Sequence, residues 1–204
     1  MSQVLATEIC NNEAHNSKAS QYLINLQQEC DRQLYFIENL LDLQYLEAGI
    51  CPLELTTLDL HNWIPHILEA FVVQNREQPL TVKVQLDPKL PLLTTDISCF
   101  ERILHDLLQN AYRYALNGDI TIAARSISEK IHLSVAYYGA EVSGLELSQI
   151  FDKFYRIPNN QSPRPNNSGL ELAIVRKLVE YLGGSIQVES RSGQVCFTVT
   201  LYTS

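Results

Sequence analysis

From residue 51 onward the sequence alternates between segments of period two and segments of helical period, and this alternation most constrains the fold. LTVKVQLD, DITIAARS, KIHLSVAYY, SIQVES and QVCFTVTLY alternate in polarity and favour strands. Helices are predicted over residues 60–74, over ISCFERILHDLLQNAYRYA and over GLELAIVRKLVEYL. Two strand pairs are predicted to form hairpins, with turns at residues 128–129 and 191–193. Locally paired strands with helices between the pairs predict an α+β fold, with helices on one face of a mixed sheet.

Polar residues and glycines mark the predicted ends of these elements. Asp59 is expected to cap the helix over 60–74, and residues 94–96 are expected to cap the next helix. Residues 183–184, both glycine, are expected to end the last helix. Residues 117–119 are predicted to form a turn, and PNNQSPRPNNS is predicted to form a loop.

The segment before this alternation carries one apolar stripe at helical spacing. Its members step by three and four residues and are Leu23, Leu26, Cys30, Leu34, Ile37 and Leu41. The stripe predicts a long helix from about Ser20, within a helical region 18–50, with Gly49 as its C-cap. Residues 1–17 are polar and are predicted to be a disordered or frayed start. Because a lone helix cannot bury such a stripe, we expect a homodimer formed through residues 20–48.

Composition excludes several classes of function. The 204 residues carry a net charge of −8, which disfavours a nucleic-acid partner. No apolar run is long enough for membrane insertion, and the N-terminus does not resemble a signal peptide, so a cytoplasmic location is expected. The five cysteines form no C-x-x-C pair, and the five histidines do not share a metal-ligand spacing on one helix face.

Four motifs, in order, resemble the C-terminal region of sensor histidine kinases. ENLLDLQYLEAG is similar to the end of the second dimerisation helix, and RILHDLLQNAYRYA is similar to the N-box. IFDKFYRI resembles the F-box, and SGLELAIVRKLVEYLGGSIQVES resembles the G2 box with the segment after it. The resemblance implies a two-layer α/β sandwich of the Bergerat ATPase fold over residues 51–204, preceded by a dimerisation helix. It also implies ATP and magnesium as ligands.

The resemblance assigns nucleotide-binding roles within the N-box. Asn110 stands where the family holds magnesium, and Arg113 stands where a basic residue reaches the phosphates. Tyr114 takes the place of an aromatic residue beside the adenine. Asp106 replaces a second asparagine, and its carboxylate oxygens remain suitable for a hard cation such as magnesium.

The two glycine-rich boxes depart from the family pattern. In the G1 box, Tyr137 replaces the aspartate that accepts from the adenine amino group, Gly139 is kept, and Glu141 replaces the second glycine. Loss of that hydrogen bond alone would cost about 1.5–3 kcal/mol. In the G2 box only Gly169 remains of the family's glycines, and the resemblance assigns Ser168, Gly169 and Leu170 to the nucleotide site.

Glu171 replaces a G2-box glycine, where it brings a side chain and a negative charge beside the expected phosphates. These departures imply a nucleotide site that is vestigial or weak.

The sequence has no counterpart of the family's phosphoacceptor histidine in its usual motif. The family's histidine precedes an E-L-R-x-P-L-like run on the first dimerisation helix, and this sequence has no such run. His15 lacks that context, so neither a phosphoacceptor nor a catalytic residue is assigned. The absence of the first helix fits either a fragment of a longer kinase or a protein that has lost the helix.

Three hypotheses remain open. The first is a pseudokinase that dimerises and contacts a response regulator or a partner kinase. The second is the catalytic ATP-binding region of an active histidine kinase, which transfers the γ-phosphoryl group of ATP to a histidine. The third, a degenerate phosphotransferase, needs a histidine within residues 20–48, and the sequence has none there.

Overall fold

The computed structural model describes residues 2–49, 52–75, 80–116, 118–157 and 168–203, with side chains from Tyr22 onward. The chain divides into two compact units, Met1–Leu41 and Asp42–Ser204. Within the described residues, no helix combines the length and the apolar character that crossing a membrane requires.

Helix α1 (Ser2–Ala48) forms the first unit as far as Leu41, and residues 42–48 of the helix belong to the second unit. The helix therefore begins earlier than predicted, and residues 2–17, predicted to be disordered or frayed, are helical. The predicted stripe is exposed: Leu23 is 66% exposed, Leu34 58% and Ile37 50%. Polarity alone misplaced the start, because polar residues with moderate helix propensity continue a helix as readily as they fray it.

The second unit contains seven strands and four further helices among the described residues. Their order is β1 (Leu55–Leu58), α2 (Leu60–Gln74), β2 (Thr81–Leu86), β3 (Leu93–Asp96), α3 (Ile97–Tyr114), β4 (Asp119–Ile127), β5 (Lys130–Tyr138), α4 (Gly144–Gln149), α5 (Glu171–Tyr181), β6 (Ser185–Arg191) and β7 (Gln194–Tyr202). The predicted α+β class is confirmed.

Five strands form one mixed sheet in the order β2-β4-β5-β7-β6. Strands β2 and β4 are parallel, and the other three pairs are antiparallel. Both predicted hairpins are present, and the turn of the first has positive φ at Ser128 (50°) and Glu129 (61°), as a tight hairpin requires. Strands β1 and β3 form a separate antiparallel pair.

The helices cover one face of the large sheet, so the predicted two-layer arrangement is confirmed. Helix α3 packs against α5 and β5, and α5 packs against β6. One helical face and every second sheet residue supply the core, including Phe100, Leu104 and Leu107 of α3, which are fully buried. Trp63 of α2 stacks on Phe100, with ring centroids 5.0 Å apart.

Aspartates cap the two helices as predicted. The Asp59 carboxylate accepts from the backbone N–H of His61 at 2.9 Å. The Asp96 carboxylate accepts from the N–H of Cys99 at 3.0 Å and from the N–H of Glu54 at 2.9 Å. Asp96 therefore fixes the start of α3 and also the chain that leads into β1.

Two expectations lie outside the described residues. Residue 117 of the predicted turn at 117–119 is not described, nor are residues 158–167 of the predicted PNNQSPRPNNS loop, which covers residues 158–168.

Candidate functional site

Helix α3 directs its last buried polar residues toward the end of β5. Asn110 and Tyr114 are four residues apart, so they lie on one face of the helix. Tyr137 is the next-to-last residue of β5, and its side chain points to the helix-covered face of the sheet, where it is 5% exposed. The α3–β5 packing therefore brings together three residues that the sequence assigned to one site.

Tyr137 and Asn110 are joined by a buried hydrogen bond. The Tyr137 hydroxyl donates to Asn110 Oδ1 across 3.2 Å, and Asn110 is 8% exposed. Burial raises the pKa of the Tyr137 phenol well above its usual range, and neighbouring Tyr114 raises it further. The phenol is therefore neutral at physiological pH and remains a donor. Asn110, the residue that the resemblance assigns to magnesium, thus already uses its Oδ1 to accept a hydrogen bond from the Tyr137 hydroxyl.

The space beside this pair is a small, mainly apolar cavity. Its volume is about 60 Å³. Its walls come from α3, β5, α4, the F-box segment, α5 and β7, and they are Asn110, Tyr114, Tyr137, Ala140, Val142, Leu147, Ile150, Tyr155, Arg156, Ile157, Leu172, Val195 and Phe197. An apolar cavity that holds one benzene ring measures about 150 Å³. A purine is larger than benzene, so side chains that line this cavity would have to move before a purine could enter it.

Gly139 lies directly against the aromatic residues of the site. A Cβ at this position would lie 2.8 Å from the Tyr114 carbonyl oxygen and 3.0 Å from Cε2 of Tyr137. The Gly139 N–H donates to the carbonyl of Gly193 at 2.9 Å. The surviving G1 glycine is thus required by close packing in this chain.

The predicted G2 residues form a closed turn at the start of α5. Glu171 is the first residue of the helix, and its Oε1 accepts from the N–H of Ser168 at 3.1 Å. The Ser168 hydroxyl accepts from the N–H of Leu170 at 3.1 Å. Glu171 is only 8% exposed, and Leu170 is fully buried. Side chains of this protein therefore accept from two backbone N–H groups in the turn that leads into α5.

Gly169 joins this turn to the F-box segment. Its φ is +72°, and a Cβ here would lie 2.9 Å from the carbonyl carbon of Phe154. The Phe154 N–H donates to the Gly169 carbonyl at 2.8 Å, and Phe154 itself has a φ of 65°. Only glycine combines this backbone conformation with so close an approach.

Asp106 and Arg113, which the sequence assigned to the site through the N-box, do not line the cavity. The carboxylate of Asp106 is buried and contacts Arg102 Nε at 2.8 Å and His105 Nδ1 at 3.4 Å. Arg113 is half-buried in the last turn of α3. Within the described residues, no cluster of three or more metal-ligating side chains occurs. The magnesium role of Asp106 and the phosphate role of Arg113 therefore stay predictions.

Sequence reasoning missed most of the apolar wall. Leu172, Val195 and Phe197 line the cavity, as do residues 147 and 150 near α4. The alternation of QVCFTVTLY predicted a strand, but only the pairing of β7 with β5 places Val195 and Phe197 near Tyr137. Tertiary pairing of this kind has no local signal in the sequence.

Residues 95–204 match the family of histidine kinase-, DNA gyrase B-, and HSP90-like ATPases. The alginate biosynthesis sensor protein KinB of Pseudomonas aeruginosa is 25% identical over 179 residues, which cover 87% of this chain and 29% of KinB. The chain thus spans less than a third of the length of that relative.

Solved structures show the same fold. Full-length ShkA in complex with AMPPNP matches 90% of this chain and 39% of its own chain, with a TM-score of 0.78 and 23% identity. Histidine kinase ThkA in complex with response regulator protein TrrA matches 87% of this chain and 49% of its own, with a TM-score of 0.69 and 23% identity. These likenesses confirm the predicted histidine-kinase-like ATPase sandwich.

Proposed function

This chain belongs to the family of histidine kinase-, DNA gyrase B-, and HSP90-like ATPases, and from that premise we propose that it is a pseudokinase of two-component signalling. Its ATPase domain would keep the fold of a sensor kinase without using ATP for phosphoryl transfer. It would act by dimerisation and by contact with a response regulator or a partner kinase.

One observation carries the proposal: the Tyr137 ring is buried where the family has an aspartate, and its hydroxyl is bonded to Asn110. Adenine would lose the acceptor that recognises its amino group, and it would also have to displace the ring. Moving the ring would break a buried hydrogen bond and leave Asn110 Oδ1 without this donor. Both costs weaken ATP binding.

Glu171 supports the proposal independently. Its carboxylate lies at the N-terminus of α5, where a helix would otherwise favour an anion such as phosphate. Two like charges about 4 Å apart repel by roughly 4 kcal/mol at an effective dielectric constant near 20. A phosphate group that approached this turn would meet that repulsion.

The test is calorimetric titration of the chain with ATP, with and without magnesium. The comparison is a triple variant with Tyr137→Asp, Glu141→Gly and Glu171→Gly, and Tyr138→Asp, at an exposed position, is the matched control. We expect no binding by the native chain or the control, and binding by the triple variant. Micromolar binding of ATP by the native chain would contradict the proposal.

An active kinase domain is the second candidate, favoured by the presence of Asn110, Gly169 and the F-box segment. Radiolabelled ATP and magnesium, supplied with a histidine-bearing dimerisation domain of a related kinase, test it directly. Transfer of label to that histidine would support the catalytic alternative. No transfer, with a native kinase as the positive control, would support the pseudokinase.

The partners proposed here follow from the relatives. ThkA was solved with the response regulator TrrA, so a response regulator is the first partner to test. Pull-down of candidate regulators by the chain, with and without ATP, would identify a contact that is independent of nucleotide.

A further inference from the structure

Helix α5 begins with a carboxylate that is both buried and bonded to the backbone. Glu171 is 8% exposed, and its oxygen accepts from the Ser168 N–H at 3.1 Å. Among the described residues, no lysine or arginine forms an ion pair with it, whereas Glu180 on the same helix pairs with Arg176 and Lys177. The turn and the helix N-terminus are therefore the groups that stabilise the Glu171 charge.

A helix N-terminus carries a partial positive charge and N–H groups without partners in the helix. Here a side chain of the same protein supplies the anion, and it does so at the residue where the family has a glycine. Ser168 supplies a second acceptor for the N–H of Leu170. Two N–H groups of the turn, those of Ser168 and Leu170, thus have acceptors that belong to this chain.

The same turn determines the position of the F-box backbone. Gly169 lies between Ser168 and Leu170 in the sequence. Its carbonyl accepts a hydrogen bond from the Phe154 N–H at 2.8 Å. The Phe154 ring is 55% exposed, and the backbone hydrogen bond to Gly169 ties this residue to the turn. The α5 turn and the F-box are therefore one connected unit.

We propose that the Glu171 carboxylate is a built-in anion that takes the place of a nucleotide phosphate at the α5 N-terminus and keeps the F-box attached to α5 without a ligand. This inference rests on the proposed function and extends it. In this chain the protein's own carboxylate would then hold the junction between α5 and the F-box segment.

The test separates the phosphate from the base by using inorganic tripolyphosphate as the probe. The variants are Glu171→Ala, which removes the carboxylate, and Glu171→Gln, which removes the charge and keeps an oxygen acceptor. Glu180→Gln is the control, because Glu180 lies on the same helix and is exposed. Calorimetry measures binding, and amide hydrogen exchange measures protection of the Ser168 and Phe154 N–H groups.

In the native chain and in Glu180→Gln we expect protected amides and no binding of millimolar tripolyphosphate. In Glu171→Ala we expect exchange at both amides to be about tenfold to a hundredfold faster, as loss of a hydrogen bond to a charged group predicts. Added tripolyphosphate should bind this variant and restore the protection. In Glu171→Gln we expect the protection to be largely kept, with tripolyphosphate binding stronger than in the native chain.

Unchanged exchange at both amides in Glu171→Ala would overturn the inference, as would equal tripolyphosphate binding by all four proteins. If Glu171→Ala fails to fold, the affinity of Glu171→Gln for tripolyphosphate decides alone. The inference is then rejected if this variant binds tripolyphosphate no more tightly than the native chain does. Because this probe has no base, the result does not depend on Tyr137. The proposed function can therefore fail in the ATP titration while this inference stands, and the reverse also holds.

Discussion

At the scale of single residues, Tyr137 stands where the family has an aspartate, and this difference changes which polar groups in the pocket form hydrogen bonds. An aspartate in a buried pocket needs donors for its charge, whereas a phenol brings its own donor and fills space with an apolar ring. Asn110 Oδ1 provides the acceptor for the Tyr137 hydroxyl. At this position the phenol is therefore both packed and hydrogen-bonded by groups of the protein itself.

The first prediction concerns alkaline stability. Burial raises the pKa of the Tyr137 phenol above its ordinary value of 10.0. Above that pH the unfolded chain releases this proton while the folded chain retains it, so stability falls as pH rises. The slope is about 1.4 kcal/mol per pH unit for one proton. Urea denaturation measures the unfolding free energy of the native chain and of Tyr137→Phe at several alkaline pH values. The variant should lack the part of the decrease that the Tyr137 phenol causes.

At neutral pH the same variant should be less stable by about 1 kcal/mol, because Asn110 Oδ1 loses its donor. Tyr138→Phe is the control, since Tyr138 follows in sequence and is 56% exposed. Identical alkaline slopes in all three proteins would contradict the burial of Tyr137.

The second prediction compares two glycines with the same backbone conformation. Gly169 has a φ of +72° and Gly183 a φ of +75°, but an added Cβ contacts the Phe154 backbone only at Gly169 and finds open space at Gly183. Both alanine variants carry the left-handed backbone cost of about 1–2 kcal/mol. Gly169→Ala should lose about 1–3 kcal/mol more, because the F-box backbone must shift. Thermal and urea unfolding measure the difference, and equal losses would show that the F-box contact is unimportant.

At the scale of the elements, helix α3 depends on Asp96 in two ways. The carboxylate caps the helix through Cys99 and accepts from the Glu54 backbone, which precedes β1. Burial by itself would raise the pKa of Asp96, but the backbone hydrogen bonds of Cys99 and Glu54 outweigh it and lower the pKa below 3.8. A lowered pKa means that the ionised form stabilises the fold.

The third prediction follows from that sign. The stabilisation is complete above the unfolded pKa near 3.8 and is lost as pH falls through the lower folded pKa. Asp96→Asn should therefore destabilise the chain by about 1–3 kcal/mol at neutral pH. The difference between the native chain and the variant should shrink below about pH 4. Asp59→Asn is the matched control, because Asp59 caps α2 without bonding a second segment of backbone. An equal loss of unfolding free energy in both variants would contradict the double role of Asp96.

Element types were predictable because each rests on a local signal. Asp59 and Asp96 mark helix starts by the chemistry of capping, and the alternation of β4, β5 and β7 identifies strands by period. The start of α1 was predicted wrongly, because residues 2–17 have no periodic stripe although they continue the helix. The Tyr137–Asn110 bond and the Glu171–Ser168 bond join positions that the sequence had already singled out, but rotamers and neighbouring strands decide which atoms meet.

At the scale of the whole molecule, the apolar stripe of α1 is exposed among the side chains that the structure describes, from Tyr22 onward. Leu23, Leu26 and Leu34 are each more than half exposed. Lone exposed leucines are ordinary on protein surfaces, but a continuous stripe along a helix is typical of an association surface. A second copy of the chain presents the same stripe, and an isologous pair of helices would bury both.

The last prediction is a homodimer held by this stripe. The native chain should sediment as a dimer at micromolar concentrations, and a double variant with Leu34→Glu and Ile37→Glu should sediment as a monomer, since two charges on each helix would face each other across the seam. Gln28→Glu is the control, because position 28 lies on the opposite face of the helix and is exposed. The variant should keep the urea midpoint of residues 42–204, since the stripe up to Leu41 belongs to the other unit. A native chain that remains monomeric under these conditions would contradict the predicted homodimer.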